Sequence, residues 1–115
     1  MQSLDKSQLD SILSVMATEC KLLFGKKLYE IKLFGSYARG DFHDESDIDI
    51  MIILDVDDEG MNMSLDNVCK IASEIDLRFN VSILPILMRK HEYDRLKKSY
   101  GLCKNVENEG VCVNV

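Results

Sequence analysis

The 115-residue sequence predicts an α+β fold, a small mixed β-sheet flanked by helices. Apolar residues recur at helical spacing in two long segments and at strand spacing in three short ones, and the two kinds interleave along the chain. Three strands are too few for a doubly wound sheet. The order helix, strand, short helical turn, strand, helix, strand, helix instead suits one mixed sheet with helices packed against it.

Residues 7 to 24 place Leu9, Ile12, Leu13, Met16, Cys20, Leu23 and Phe24 on one helical face, with Ser7 as the expected N-cap and Gly25 just past the end. Leu28 to Phe34 reads as a strand, broken by Gly35-Ser36, and Ser36 to Arg39 suits one helical turn. Asp41 to Ser46 is polar loop. Asp47 to Leu54, rich in isoleucine, is the strongest strand signal. The acidic stretch Asp55 to Gly60 is expected as an exposed turn, followed by a helix from about Ser64 to Ile75. Leu77 to Leu84 alternates apolar and polar residues and is expected as the third strand, with Pro85 limiting its far end. His91 to Lys98 reads as a short basic helix, Asn105 to Glu109 as one more turn, and Val111 to Val115 as a small edge strand.

The length suits one domain spanning residues 1–115. Residues 1 to 10 are polar and acidic rather than signal-like, and the apolar runs fall short of membrane-spanning length, so a cytoplasmic protein without membrane contact is expected. Four cysteines show no CxxC spacing, which argues for buried thiols over a disulfide scaffold or zinc site. A formal net charge of −6 disfavours general nucleic-acid binding.

The chemistry concentrates in GSYARGDFHDESDID, residues 35 to 49. Alternation along a strand sends Asp47 and Asp49 to one face, while Ile48, Ile50 and Ile52 face the other way and bury. Two carboxylates so close repel unless a cation sits between them, and Mg²⁺ is commonly held by one or two carboxylates plus substrate phosphates. Gly35 lets a phosphate approach the backbone, and the Ser36 hydroxyl with the amides of the following turn can donate to it. Arg39 lies within reach as a phosphate contact. Either half alone is more often a plain turn or a solvated sheet edge; their joint occurrence points to phosphoryl or nucleotidyl transfer.

With Gly-Ser, ten residues and Asp-x-Asp, this stretch resembles the signature of the minimal nucleotidyltransferases, in the superfamily of DNA polymerase β and the aminoglycoside nucleotidyltransferases. The closing SYGLCKNVENEGVCV is similar to the tails of some stand-alone members. The resemblance implies a polymerase β palm-like fold, nucleotide binding at Gly35, Ser36 and Arg39, and Mg²⁺ at the catalytic pair Asp47 and Asp49. It further implies transfer of AMP from ATP to an acceptor hydroxyl, with a helical HEPN-domain protein as partner in a toxin–antitoxin module.

One part of the pattern is missing. The family carries a third carboxylate on a strand beside the Asp-x-Asp strand, and LRFNVSIL contains none. Asn80 is the expected replacement; its amide can ligate a metal but cannot act as a base. Asp76 precedes that strand, and four residues of strand would carry it roughly 13 Å away. The alternative expectation is therefore a weakly active or inactive module that neutralises a HEPN-type toxin by docking. His43 and His91 read as exposed histidines, Tyr37 as packing on the sheet, and Met61 and Met63 as core or cover residues. The basic residues from Arg89 to Lys104 read as a solvated helix face, with triphosphate binding or partner docking as the alternative.

Overall fold

The computed structural model describes residues 5–43, 46–99 and 101–113. In chain order the elements are α1 (Lys6–Phe24), a 3₁₀ turn (Gly25–Lys27), β1 (Leu28–Phe34), α2 (Gly35–Arg39), β2 (Ile48–Leu54), α3 (Asp58–Phe79), β3 (Ile83–Arg89), α4 (Lys90–Leu96), α5 (Leu102–Glu109) and β4 (Val111–Cys112). The sheet order is β3-β2-β1-β4. Strand β2 runs antiparallel to β1 and parallel to β3, and β4 adds a short antiparallel edge to β1. The parallel pair needs a crossover, which α3 supplies.

Strand β2 is buried on both faces, which explains its nearly unbroken apolar run. Ile48, Ile50, Ile52 and Leu54 pack with Ile12, Met16 and Cys20 of α1 and Val68, Ala72 and Ile75 of α3. Met51 and Ile53 face the opposite side with Phe34, against Tyr93 of α4 and Cys103 and Val106 of α5. Asp49 shares the Met51 face by alternation, so the sheet presents it toward α5. Burial pushes the Cys20 thiol up to about 12, as befits a core residue rather than a reactive one.

The helix starts differ from the expected ones in an informative way. Asp5, not Ser7, caps α1: its Oδ1 accepts from Gln8 N at 2.8 Å, and Gln8 Oε1 accepts from Asp5 N at 3.1 Å. The acidic stretch expected as a turn instead opens α3, with Asp57 Oδ1 accepting from Gly60 N at 2.7 Å. Acids in a first turn complement the helix dipole.

The largest difference concerns the third strand. Residues 77 to 79 belong to α3, and Asn80 ends that helix in the left-handed conformation with φ 55°, its N–H donating to Asp76 O. Leu77 is exposed, while Phe79 at the end of α3 and Val81 and Ile83 beyond it turn inward, so the apolar–polar alternation runs across a helix end, a cap and a strand start rather than along one strand. The strand begins at Ile83 and contains Pro85, which is tolerated because β3 is an edge strand paired only with β2. Among the described residues, no helix is long and apolar enough to cross a membrane.

A polar cluster ties α5 to the sheet. Lys32 on β1 is buried, with its Nζ 3.0 Å from Glu107 and 3.4 Å from Glu30. Tyr93 Oη donates to Glu107 Oε2 at 2.6 Å. Burial works against the Lys32 charge, but the Glu107 hydrogen bond, with Tyr93 and Glu30, outweighs it and holds the ammonium above its ordinary range. Glu107 is held below its ordinary range by Tyr93 and Lys32. Removing the exposed partner should therefore cost more than removing the buried one. Glu107→Ala leaves the buried ammonium with only the longer Glu30 contact and is expected to cost about 2 kcal/mol, against about 1 for Lys32→Met, whose loss leaves Glu107 with Tyr93 and water. Urea unfolding midpoints of the two variants would give the order, and the reverse order would refute it.

Candidate active site

The site forms where β1 turns into α2. Gly35 takes φ 71°, a conformation that L side chains rarely adopt. It also has no room for one: a methyl group there would overlap Asp49 Oδ2 and stand 3.0 Å from Asp49 Cγ. The β1–β2 register, which pairs Phe34 with Asp49, brings the two segments together. Gly40, left-handed with φ 87°, then closes α2 after a single turn. The Gly-Ser turn and the Asp-x-Asp strand end, ten residues apart in sequence, are thus in direct contact.

Ser36, Arg39 and Asp49 line a cleft of about 340 Å³ together with Phe34 and Gly35. Asp49 is half-buried and Asp47, just before β2, is exposed. Burial raises the Asp49 pKa, the Asp47 charge raises it further, and Arg39 opposes both. The Arg39 guanidinium is exposed and anchored on two sides, with Nε 3.2 Å from Asp41 Oδ2 and Nη1 3.6 Å from Glu109 Oε2. All five residues expected at the phosphate–metal site therefore fall in one neighbourhood, four of them on the cleft itself.

Among the described residues, no three His, Cys, Asp or Glu side chains converge on one metal position. The donor set is instead a carboxylate pair, one of whose members bears a raised pKa against a glycine with no Cβ. That set fits a hard divalent cation such as Mg²⁺, which completes its shell with water and substrate phosphates.

The expected third position needs correcting. Asn80 is exposed at the end of α3 rather than on a strand. The β2–β3 register sets Leu84 opposite Asp49, and Ser82 O accepts from Ile48 N at 2.8 Å. Strand β3 itself, ILPILMR, has no carboxylate, so the strand beside the pair lacks an acid despite its shifted position. Asp76 is nearer than an extended chain would allow, because residues 76 to 79 are helical. Its Oδ1 accepts from Ile83 N at 2.9 Å, and its pKa is raised by burial and by Asp47, with the Ile83 hydrogen bond opposing. Asp76 thus anchors the start of β3. Asn80→Gly should leave nucleotide binding unchanged and alter stability by no more than about 1 kcal/mol, since glycine suits the left-handed cap. Loss of a ligand-induced melting shift in that variant would restore Asn80 to the site.

Three residues of the cleft, Leu102, Asn105 and Glu109, come from α5 and were not singled out in the sequence. Their signal is faint: Cys103 and Val106 bury one face of α5, and these three lie on another. Tyr37 is buried and stacked on Phe42 at 4.3 Å, the packing role expected of it. His43 and His91 are exposed. In the basic stretch, Arg89 pairs with Asp58 and Glu92, and Lys90 and Lys97 pair with Asp94. The cleft is lined by none of them.

The chain is similar to known proteins in sequence and in fold. The family model for the nucleotidyltransferase domain matches residues 13–115. A Methanocaldococcus jannaschii protein named "Putative protein adenylyltransferase MJ0141" is 39% identical over 85 residues, covering 74% of this chain and 78% of that protein. A crystal structure of a mutant toxin–antitoxin MntA–HpeT is similar with TM-score 0.55 at 19% identity, covering 96% of this chain and 73% of that one. A toxin–antitoxin structure with AMP-PNP gives TM-score 0.53 at 21% identity, with coverage of 96% and 73%. The two structures share the fold, and the family model and the sequence relative set the kinship: the chain belongs to the nucleotidyltransferase domain family.

Proposed function

We propose that this chain is a Mg²⁺-dependent enzyme that transfers AMP from ATP to a hydroxyl of a partner protein, as the antitoxin of a HEPN-type toxin–antitoxin pair. The observation that carries this reading is the contact between Gly35 and Asp49, which sets a side-chain-free backbone directly against one carboxylate of the pair. In this reading Gly35 and Ser36 hold phosphate oxygens, Arg39 offsets their charge, and Asp47 with Asp49 would hold the metal. The acceptor oxygen bonds to the α-phosphorus as the bond to the bridging oxygen breaks, pyrophosphate leaves, and the hydroxyl proton passes to a carboxylate of the pair or to solvent. Mg²⁺, when bound, neutralises phosphate charge. The relative named as a protein adenylyltransferase supports AMP and a protein acceptor. The two toxin–antitoxin structures, one with AMP-PNP, support a nucleotide and a partner protein.

A second reading, docking with little catalysis, is favoured by one feature: β3 has no acid beside the pair to take the acceptor proton. The test is incubation of the chain with Mg²⁺, ATP labelled at its α-phosphate, and a HEPN-domain protein encoded beside it. Label on that protein is the expected result. A complex that forms without nucleotide and never acquires label would overturn transfer in favour of docking.

A further inference from the structure

The cleft has a second wall whose chemistry does not match a phosphate. On α5, Leu102, Asn105 and Glu109 follow one another at spacings of three and four residues, so they form one stripe along the helix, and all three line the cleft that Gly35 and Ser36 also line. Leu102 is 42% exposed, a large apolar side chain facing a polar cleft. Phosphate gains nothing from an apolar surface, whereas a base or ribose ring does. Asn105 adds an amide with both donors and an acceptor, suited to the mixed edge of a nucleobase or to ribose hydroxyls. Glu109, which a bare polyphosphate would repel, is occupied by Arg39 at 3.6 Å.

We infer that α5 is the wall that recognises the nucleoside, with Leu102 packing against it and Asn105 as the residue that distinguishes a nucleotide from polyphosphate alone. The inference rests on the nucleotidyl-transfer reading and adds to it where the non-phosphate part of the substrate lies. The wall is anchored at two points, as such a role requires. Glu107 ties α5 to the sheet through Lys32 and to α4 through Tyr93, and Gly110 packs where a Cβ would overlap Val106 O. The cleft of about 340 Å³ is in the range that holds a small ligand.

The test is calorimetric titration with Mg²⁺–ATP and, separately, with Mg²⁺–tripolyphosphate, on wild type, Asn105→Ala and Ser36→Ala. Asn105 is exposed, so its alanine variant should fold, and an unchanged melting temperature would verify this. Loss of one or two hydrogen bonds should weaken ATP roughly tenfold in Asn105→Ala and leave tripolyphosphate within about twofold. Ser36→Ala should weaken both ligands. If Asn105→Ala binds ATP like wild type, or loses both ligands equally, the inference fails while the phosphate site stands. If wild type binds neither ligand, the nucleotidyl-transfer reading fails and takes the inference with it.

Discussion

Gly35→Ala is expected to destabilise the chain by about 2–4 kcal/mol and to abolish Mg²⁺–ATP binding. Two costs combine. An alanine forced to φ 71° pays about 1 kcal/mol for the left-handed conformation, and a methyl driven into Asp49 adds the roughly 1–3 kcal/mol typical of overpacking. In a domain of this size the melting temperature should fall by roughly 10 °C. The second cost has a specific signature. Asp49→Ala removes the carboxylate and leaves the new methyl 3.3 Å from the residue 49 Cβ, a tight but tolerable approach. The double variant Gly35→Ala/Asp49→Ala should therefore be more stable than the sum of the single changes implies, by about 1–2 kcal/mol, and still bind no nucleotide. Strict additivity in urea unfolding would mean that Gly35 and Asp49 do not oppose each other across the site.

That contact also marks how far the sequence could be read. Strand β1 was expected with the bounds it has and β2 to within one residue, because their apolar runs end at the glycine and the acids that make the site. Local pattern and cleft geometry coincide there. They part at residues 77 to 82, where apolar–polar alternation mimics a strand while the chain completes α3 and its cap, since so few residues cannot separate a half-buried strand from a helix end; only Ile83 and Leu84 of the expected strand belong to β3. The position of Asp76 depends on the same residues: an extended chain would carry it away from Asp47, whereas the helix returns it to the start of β3. The α5 wall was out of reach for another reason. Nothing in Leu102, Asn105 and Glu109 signals a ligand until the sheet and the Lys32–Glu107–Tyr93 cluster set them on the cleft that Gly35 also lines. The neighbourhood that fifteen consecutive residues form was legible; the side chains that topology adds to it from α5 were not.

Asp49→Asn should separate stability from function in opposite directions. In the metal-free protein Asp49 has a raised pKa because burial and the Asp47 charge disfavour its ionised form. An acid whose folded pKa lies above its unfolded value favours folding below the unfolded pKa, and that advantage disappears as pH rises through the folded pKa. At neutral pH the carboxylate is therefore a liability to the fold. Asp49→Asn, in buffer with chelator, should melt above wild type at pH 7, and the gain should vanish at acid pH where wild-type Asp49 is protonated. Adding Mg²⁺–ATP should reverse the ranking. At about a hundred times its dissociation constant the ligand stabilises wild type by roughly 2.7 kcal/mol. The variant, with a neutral amide in place of the carboxylate proposed to hold the metal, should gain little. AMP transfer should fall roughly 10²–10³-fold or below detection, as expected when charge neutralisation worth several kcal/mol is lost. A variant that melts higher yet responds to Mg²⁺–ATP like wild type would remove Asp49 from the metal site. One that melts lower without ligand would mean that the repulsion from Asp47 is already relieved within the fold, with Arg39 as the neutralising charge.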